Sequence, residues 1–141
     1  MIIRFILVGI EGAYNLGVIA RTLVNFNIDE LYIVNPSVDL NEALNYAAKG
    51  RDYLSRAIIV NDIDEAIKES DLVVATSGKG YSEGDVLRQA ISVEDFINLI
   101  QRRRVDRLAV MFGRESVGLT RDELSKADIL VTIPANPSYP I

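Results

Sequence analysis

Apolar and polar residues alternate along this chain in two rhythms that succeed each other from one end to the other. Short runs rich in Ile, Val, Leu and Phe predict buried strands at residues 2–10, 31–34, 57–60, 72–75, 108–112 and 129–133. Between these runs, apolar residues recur at three- or four-residue spacing, which predicts amphipathic helices. Strands that are apolar throughout and separated by helices predict an α/β fold, with a mostly parallel sheet and helices on both faces.

Helix signals occupy the gaps between the predicted strands. A stripe through Ile19 and Leu23 predicts a first helix, and a second helix is predicted to end near Gly50. Asp62, Ser92 and Thr120 each precede a helical stripe, where a short polar side chain caps the helix by accepting a backbone N–H. The chain shows neither a linker nor an internal repeat, so one domain is expected.

The end of the chain breaks this regularity. Residues 134–141, rich in Pro and Asn, follow the sixth predicted strand, and no helical pattern follows them. We therefore expect residues 1–141 to form a single domain that lacks its last helix and any C-terminal extension.

Composition narrows the chemistry more than it narrows the fold. With 141 residues, of which 49% are hydrophobic and 25% charged, the chain has the profile of one ordinary globular domain. It contains no Cys and no His, which excludes disulfides, thiolate metal sites, a cysteine nucleophile and a Ser-His-Asp triad. The N-terminus shows no secretory leader pattern, so a cytoplasmic protein is expected.

The charge balance bears on possible partners. A net charge of −5 argues against nonspecific nucleic-acid binding, which depends on neutralising phosphates. Eleven of the fifteen basic residues are nevertheless Arg, the side chain best suited to bidentate phosphate recognition. The run of Arg102, Arg103 and Arg104 fits a solvated helix end, and a local basic face is the alternative.

Ligands of open α/β sheets bind beyond the carboxyl ends of the strands, and four segments there carry glycine or polar groups. They are residues 11–21, 76–79, 113–120 and 134–136. None matches the GxGxxG or Walker A pattern, which disfavours a nucleotide-dependent oxidoreductase or an NTPase. Taken singly, a turn explains each glycine, a solvated helix flank explains Arg21, and helix-entry electrostatics explain Glu115.

Taken together, three of these segments resemble the motif set of the SpoU/TrmH class of SPOUT RNA methyltransferases. Asn-Leu-Gly-Val-Ile-Ala-Arg, from Asn15 to Arg21, resembles the first motif, N-x-G-x-x-x-R. Phe-Gly-Arg-Glu-Ser-Val-Gly-Leu, at residues 112–119, resembles the second, F-G-x-E-x-x-G-L. Residues 133–141 resemble the opening of the third. The wording of the last two is similar to the TrmJ branch, whose members 2′-O-methylate nucleotide 32 in the tRNA anticodon loop.

The resemblance implies a trefoil-knotted SPOUT fold and S-adenosylmethionine as cofactor, with no metal. It implies a catalytic set in which Arg21 stabilises the ribose 2′-oxygen and anchors a phosphate, while Asn15 and Glu115 position Arg21 or the ribose. Such methyl transfer needs positioning and help in removing one proton, which suits a chain without Cys or His. The cofactor-binding residues that the resemblance implies are Thr76, Ser77, Gly78, Gly113, Ile133, Pro140 and Ile141.

The resemblance also implies tRNA as a partner and a homodimer as the assembly, and it leaves two alternatives open. A ribosomal-RNA 2′-O-methyltransferase of the same class could carry the same motifs, and a non-catalytic α/β module could bind RNA or a ligand with the same loops. Leu16, Val18 and Leu119, apolar residues in strand-end segments, agree with a dimer interface. Side chains that could contact RNA are Tyr14, Tyr81, Tyr139, Lys79, Arg114 and Arg121.

Overall fold

A computed structural model describes residues 1–77 and 90–133 of the chain. The strands are β1 (Ile2–Val8), β2 (Glu30–Val34), β3 (Ile58–Val60), β4 (Leu72–Ser77), β5 (Ile91–Ser92), β6 (Arg107–Phe112) and β7 (Ile129–Thr132). The α-helices are α1 (Ala13–Asn25), α2 (Leu40–Leu44), α3 (Arg51–Ser55), α4 (Ile63–Ala66), α5 (Val93–Arg102) and α6 (Arg121–Leu124), and a 3-10 helix spans Ala48–Gly50. Within the described ranges, no helix has the length and apolar character needed to cross a bilayer.

The strands form one sheet in the order β3-β2-β1-β6-β4-β7-β5, and every pair of neighbours is parallel. This confirms the predicted α/β class and all six predicted strands. The sequence did not predict β5, because two residues are too few to produce a pattern. The trefoil knot stays a prediction, because residues 134–141 lie outside the described part of the chain.

Two strand ends differ from the prediction for local reasons. β1 stops at Val8 rather than at residue 10, because Gly9 has φ +67° and turns the chain away. β4 runs on to Ser77, past the predicted end at residue 75. Its polar last residues, Thr76 and Ser77, still pair with β7 in register.

The predicted second helix is wrong in its extent. It ends at Leu44, and the 3-10 helix and α3 follow, with Ala48 in the left-handed region at φ +48°. Gly50 lets the 3-10 helix pack closely against α1, since a Cβ at this position would lie 2.8 Å from the backbone nitrogen of Arg21. The predicted N-caps are confirmed: the side chains of Asp62, Ser92 and Thr120 each accept a backbone N–H of the helix that follows.

Helices cover both faces of the sheet, as predicted, and alternate residues of the strands point to opposite sides. On one side, Leu16 and Ala20 of α1 pack against Leu7 of β1 in an apolar cluster that also takes in α2 and α3. On the other side, Ala66 of α4 and Leu124 of α6 pack with strand residues of the opposite parity. The apolar stripe of α5 covers β4, β6 and β7 in a third cluster.

Three aspartates, which we call the aspartate clamps, fix strand registers at the amino edge of the sheet. Each directly precedes one strand and accepts a backbone N–H at the start of the neighbouring strand. Asp29 accepts the backbone N–H of Ile3 at 2.8 Å, and Asp128 accepts that of Val73 at 2.8 Å. Asp71 accepts two, from Arg107 at 2.8 Å and from Asp106 at 3.0 Å.

Arg4 lies at the same edge and is 5% exposed, which makes it the buried charged residue of the described chain. Its Nε donates to Glu30 at 2.9 Å, and its Nη1 donates to the carbonyl oxygens of Ala66 at 2.8 Å and Lys68 at 3.0 Å. Its guanidinium also lies 4.1 Å from the ring centroid of Tyr32. Because every buried donor must find an acceptor, these bonds are what allow an arginine inside an apolar strand.

Candidate functional site

The predicted site residues gather at the carboxyl edge of the sheet. β1, β6, β4 and β7 are consecutive neighbours and run in the same direction. The loops that leave them therefore meet at one edge. Gly113 and Glu115 lie in the loop of residues 113–120, Thr76 and Ser77 end β4, and Ile133 follows β7. Asn15 and Arg21 lie on α1, which follows the loop of residues 9–12.

Glu115 caps a helix that belongs to a distant part of the sequence. α1 begins after Gly12, which has no side chain to cap it. The Glu115 carboxylate accepts the backbone N–H of Glu11 at 3.0 Å, the N–H of Gly12 at 2.8 Å and the side-chain amide of Asn15 at 3.0 Å. An anion here is also favoured by the helix dipole.

These bonds set the charge state of Glu115. Burial by itself raises the pKa of this carboxyl, but the hydrogen bonds from Asn15 and from the backbone of Glu11 and Gly12 outweigh it, and the pKa lies below its ordinary value. Glu115 is thus a firmly ionised carboxylate near neutral pH. Its oxygens are committed to holding α1 rather than offered as a base.

A second carboxylate makes the reverse connection. The Glu11 side chain accepts the backbone N–H of Ser116 at 2.9 Å and its hydroxyl at 2.8 Å. We call the reciprocal bonds of Glu11 and Glu115 the crossed clasp. Glu11 and Ser116 are not predictable from the sequence, because neither is a fixed position of a motif and their contact depends on the pairing of β1 with β6.

Two glycines shape the loop after β6. The backbone groups of Arg114 and Gly118 bond each other at 3.2 and 2.8 Å, which folds residues 114–118 into a tight turn. Gly113 packs so closely that a Cβ would overlap the backbone of Gly118 and Leu119. Gly118 has open space around it but takes φ +74°. The turn therefore needs each glycine for a different reason.

Arg114, predicted to contact an RNA phosphate, is paired within the chain. Its guanidinium forms a bidentate pair with Glu123, both N–O distances being 2.9 Å, and its side chain packs over Gly9. The bond from Arg114 is the main reason that the pKa of Glu123 lies below its ordinary value. The contact of Arg114 with an RNA phosphate stays a prediction, and such a contact would have to share a guanidinium that is already paired with Glu123.

The described cofactor candidates lie on three adjacent strands. Thr76 donates its hydroxyl to the Met111 carbonyl at 2.9 Å, and Ile133 donates its backbone N–H to the Ser77 carbonyl at 2.8 Å. Gly113 follows β6 directly, between β1 and β4 in the sheet order. The candidates Gly78, Pro140 and Ile141 lie outside the described residues.

Arg21 stands apart from the other catalytic candidates. Asn15 and Glu115 are in contact, but the Arg21 side chain is exposed and forms no hydrogen bond or ion pair with the residues that the structure describes. It lies six residues beyond Asn15 on α1, roughly 120° around the helix and about 9 Å along it. Arg21 is an uncommitted cation on a helix that is fixed at its start.

The remaining RNA-contact candidates divide by position. Tyr14 is 61% exposed and lies edge-on to Tyr46, with ring centroids 5.4 Å apart. The exposed run Arg102–Arg104 begins with the last residue of α5. It leads to the amino end of β6, so it lies at the opposite edge of the sheet. This agrees with a solvated helix end. Arg121 opens α6 beside the site. Lys79, Tyr81 and Tyr139 lie outside the described residues.

The three apolar residues predicted for a dimer interface differ in their exposure. Leu16 is fully buried inside the chain, so its prediction as a dimer-interface residue is wrong. Val18 and Leu119 are half-buried. Over residues 1–77 and 90–133 the structure holds no cluster of three Asp or Glu side chains that could bind a metal.

Comparisons with known proteins agree with this arrangement. Residues 2–141 match the SpoU rRNA Methylase family. The tRNA (cytidine-2′-O-)-methyltransferase TrmJ of Sulfolobus acidocaldarius is 50% identical over 142 residues, covering 100% of this chain and 59% of its own length. The chain therefore spans about three-fifths of that relative.

Solved structures share the fold. The crystal structure of TrmJ from Z. mobilis ZM4 superposes with a TM-score of 0.83 at 25% identity, over 99% of this chain and 61% of that one. The SpoU methyltransferase AviRb from Streptomyces viridochromogenes, solved in complex with AdoMet, gives a TM-score of 0.70 at 15% identity, over 97% of this chain and 50% of that one.

Proposed function

This chain belongs to the SpoU rRNA methylase family, and from that premise we propose that it transfers a methyl group from S-adenosylmethionine to a ribose 2′-oxygen of tRNA. The observation that carries the proposal is the meeting of two family motifs at one edge, where Glu115 of the second motif bonds Asn15 of the first. The 50% identity to a tRNA 2′-O-methyltransferase supports tRNA as the substrate class.

The residues at this edge fit the cofactor. Thr76, Ser77, Gly113 and Ile133 are small or uncharged, as suits an adenosine held by backbone groups at strand ends. The nearby Arg114 charge is paired with Glu123, so it does not repel a sulfonium cation. When bound, the cofactor supplies an activated methyl group with a good leaving group. The AdoMet bound to the related fold of AviRb supports this choice.

Arg21 is proposed as the residue that acts on the ribose. An arginine guanidinium offers hydrogen-bond donors and no acceptor, so Arg21 is proposed as a donor and not as a base. It would lower the energy of the 2′-oxygen as its proton leaves for water, and it would anchor the adjacent phosphate bidentately. Asn15 and Glu115 fix the start of α1 and thereby the direction of Arg21.

The finer substrate is part of the proposal. Nucleotide 32 of the tRNA anticodon loop is the proposed target, by analogy with the TrmJ branch, and unpaired loop bases are accessible to protein side chains. A homodimer is the proposed assembly. The exposed Tyr14 of α1 and Tyr46 after α2, with Val117 at 71% exposure, provide apolar surface for it. Sedimentation at micromolar concentration tests the dimer, and a monomer there would contradict it.

A methyl-transfer assay tests the proposal directly. The purified protein is incubated with tritiated S-adenosylmethionine and separately with bulk tRNA, anticodon stem-loops and ribosomal RNA. We expect incorporation into tRNA, located at the ribose of nucleotide 32 by mass mapping. Incorporation into ribosomal RNA alone would favour the alternative enzyme of the same class. Ligand binding with no incorporation into any RNA would favour a non-catalytic binding module.

A further inference from the structure

We infer that Glu11 is a positioning residue for the methyl transfer: its half of the crossed clasp fixes α1, and with it Arg21, against the loop after β6. This inference rests on the proposed function. Glu11 lies outside the N-x-G-x-x-x-R and F-G-x-E-x-x-G-L motifs, and it does not have to touch substrate or cofactor to act.

The geometry of the crossed clasp is reciprocal. Glu115 of the second loop holds the backbone of residues 11 and 12, and Glu11 of the first loop holds the backbone and hydroxyl of Ser116. The loops are brought together from positions about a hundred residues apart in the chain. Each carboxylate binds the backbone of the opposite loop, so these contacts do not depend on which side chains that loop carries, apart from the Ser116 hydroxyl and Asn15.

α1 packs on the sheet through Leu16 and Ala20, so its general direction does not depend on the crossed clasp. What the bonds of Glu11 and Glu115 set is the small remaining tilt of α1 relative to the loop after β6. Arg21 lies nine residues beyond Gly12, roughly 13 Å along the helix, so a tilt of about 5° moves its Cα by roughly 1 Å. A misplacement of that size lowers the rate of a reaction that depends on alignment by up to about a hundredfold.

The bonds of the Glu11 side chain in the crossed clasp contribute little to the free energy of unfolding. This side chain lies at the surface, away from the three apolar clusters. Bonds between exposed polar groups contribute little to the free energy of unfolding. The backbone N–H of Glu11 would still donate to Glu115 after any substitution of the side chain. Removal of the carboxylate therefore separates positioning from folding.

The experiment compares Glu11→Ala, Glu11→Gln and the control Glu94→Ala, which alters an exposed glutamate with no bond to the described residues. For Glu11→Ala we expect kcat for methyl transfer to fall about tenfold to a hundredfold. KM for S-adenosylmethionine and Tm should stay near the wild-type values. Glu11→Gln should recover most of kcat, because its amide oxygen can still accept from Ser116. The control should match the wild type.

Amide hydrogen exchange gives a readout that is independent of activity. The Ser116 amide should be protected in the wild type and lose protection in Glu11→Ala, as it loses its acceptor. An unchanged kcat in Glu11→Ala would overturn the inference, and so would a parallel loss of Tm and kcat without recovery in Glu11→Gln. A wild-type protein that methylates no RNA would instead refute the proposed function, while Ser116 exchange would still report on the clasp.

Discussion

Arg21 and Arg114 differ in how their charges are used, although both lie near the carboxyl edge of the sheet. Arg114 is neutralised by a bidentate bond to Glu123 and packs over Gly9, so it serves the fold. Arg21 has no partner among the described residues, and its exposed guanidinium is available to a phosphate or a ribose. The sequence predicted that both arginines contact RNA. They differ because the Glu123 carboxylate lies within bonding distance of Arg114, whereas no described carboxylate pairs with Arg21.

Arg21→Ala should reduce methyl transfer about 10²- to 10³-fold, because it removes a charged donor from the reacting oxygen. Cofactor affinity should change by no more than a few-fold, and the free energy of unfolding should hardly change for an exposed side chain. Arg21→Lys should recover little, since an ammonium lacks the bidentate geometry. Single-turnover rates and equilibrium dialysis measure the two effects, and near-normal turnover of Arg21→Ala would refute the role assigned to Arg21.

Gly113 and Gly118 offer a matched pair at the same turn. Gly113→Ala should lower the free energy of unfolding by about 3 kcal/mol or more, because the new Cβ overlaps backbone that cannot move aside. Gly118→Ala meets no atom and should lower it by only about 1–2 kcal/mol, from the left-handed φ. Urea unfolding compares the two variants. Equal losses in the free energy of unfolding would contradict the view that Gly113 is needed to avoid overlap and Gly118 for its left-handed φ.

At the scale of elements, the two edges of the sheet are stabilised differently. At the amino edge, side chains bond to the strands, and at the carboxyl edge the loops bond to each other. The aspartate clamps satisfy backbone donors where strands begin, so they set which residues pair across β1–β2, β4–β6 and β4–β7. The crossed clasp is the corresponding device at the other edge. It joins loops rather than strands.

Asp71→Ala should lower the free energy of unfolding by about 1–2 kcal/mol, since two N–H groups at the start of β6 lose an anionic acceptor. Asp71→Asn, which keeps one acceptor oxygen, should fall between this variant and the wild type. Asp52→Ala, an exposed aspartate in α3, is the control and should stay within about 0.5 kcal/mol of the wild type. A control as destabilised as Asp71→Ala would show that the clamp has no particular effect.

The sequence predicted elements better than it predicted contacts between them. The six apolar strands and the caps at Asp62, Ser92 and Thr120 followed from local pattern, because apolar periodicity and short polar caps are properties of neighbouring residues. The break at Ala48 depends on packing of Gly50 against α1 and had no local signal. The motifs assigned Asn15 and Glu115 to one site, and the structure has the two side chains in contact, while their part in catalysis stays a prediction. Glu11 could be found only once β1 and β6 were known to be neighbours.

At the scale of the whole molecule, two ionised carboxylates make stability depend on acid. Glu115 and Glu123 have folded-state pKa values below the ordinary 4.5. Above pH 4.5 both are ionised in the folded and unfolded chains, so their contribution is complete. As the pH falls below that value the unfolded chain takes up protons first. The contribution is lost as the pH passes through the folded-state pKa values.

The double variant Glu115→Gln, Glu123→Gln should therefore be less stable than the wild type near neutral pH and should approach it as acid is added. Urea unfolding between about pH 7 and pH 3 measures the difference in free energy of unfolding. The gap should be constant above pH 4.5 and should narrow below it. A gap that widens in acid would mean that the folded state raises these pKa values, which contradicts the hydrogen bonds that the two carboxylates accept.

The position of β6 between β1 and β4 has a consequence for how the chain is made. β1, β2 and β3 can pair as soon as residue 60 has left the ribosome, but β1 finds its other neighbour only when residues 107–112 emerge. At bacterial-to-eukaryotic synthesis rates this leaves one side of an apolar strand open for roughly 3 to 10 seconds. During that interval Ile2–Val8 is an unprotected template for wrong pairing, and nascent-chain chaperones would find their target there.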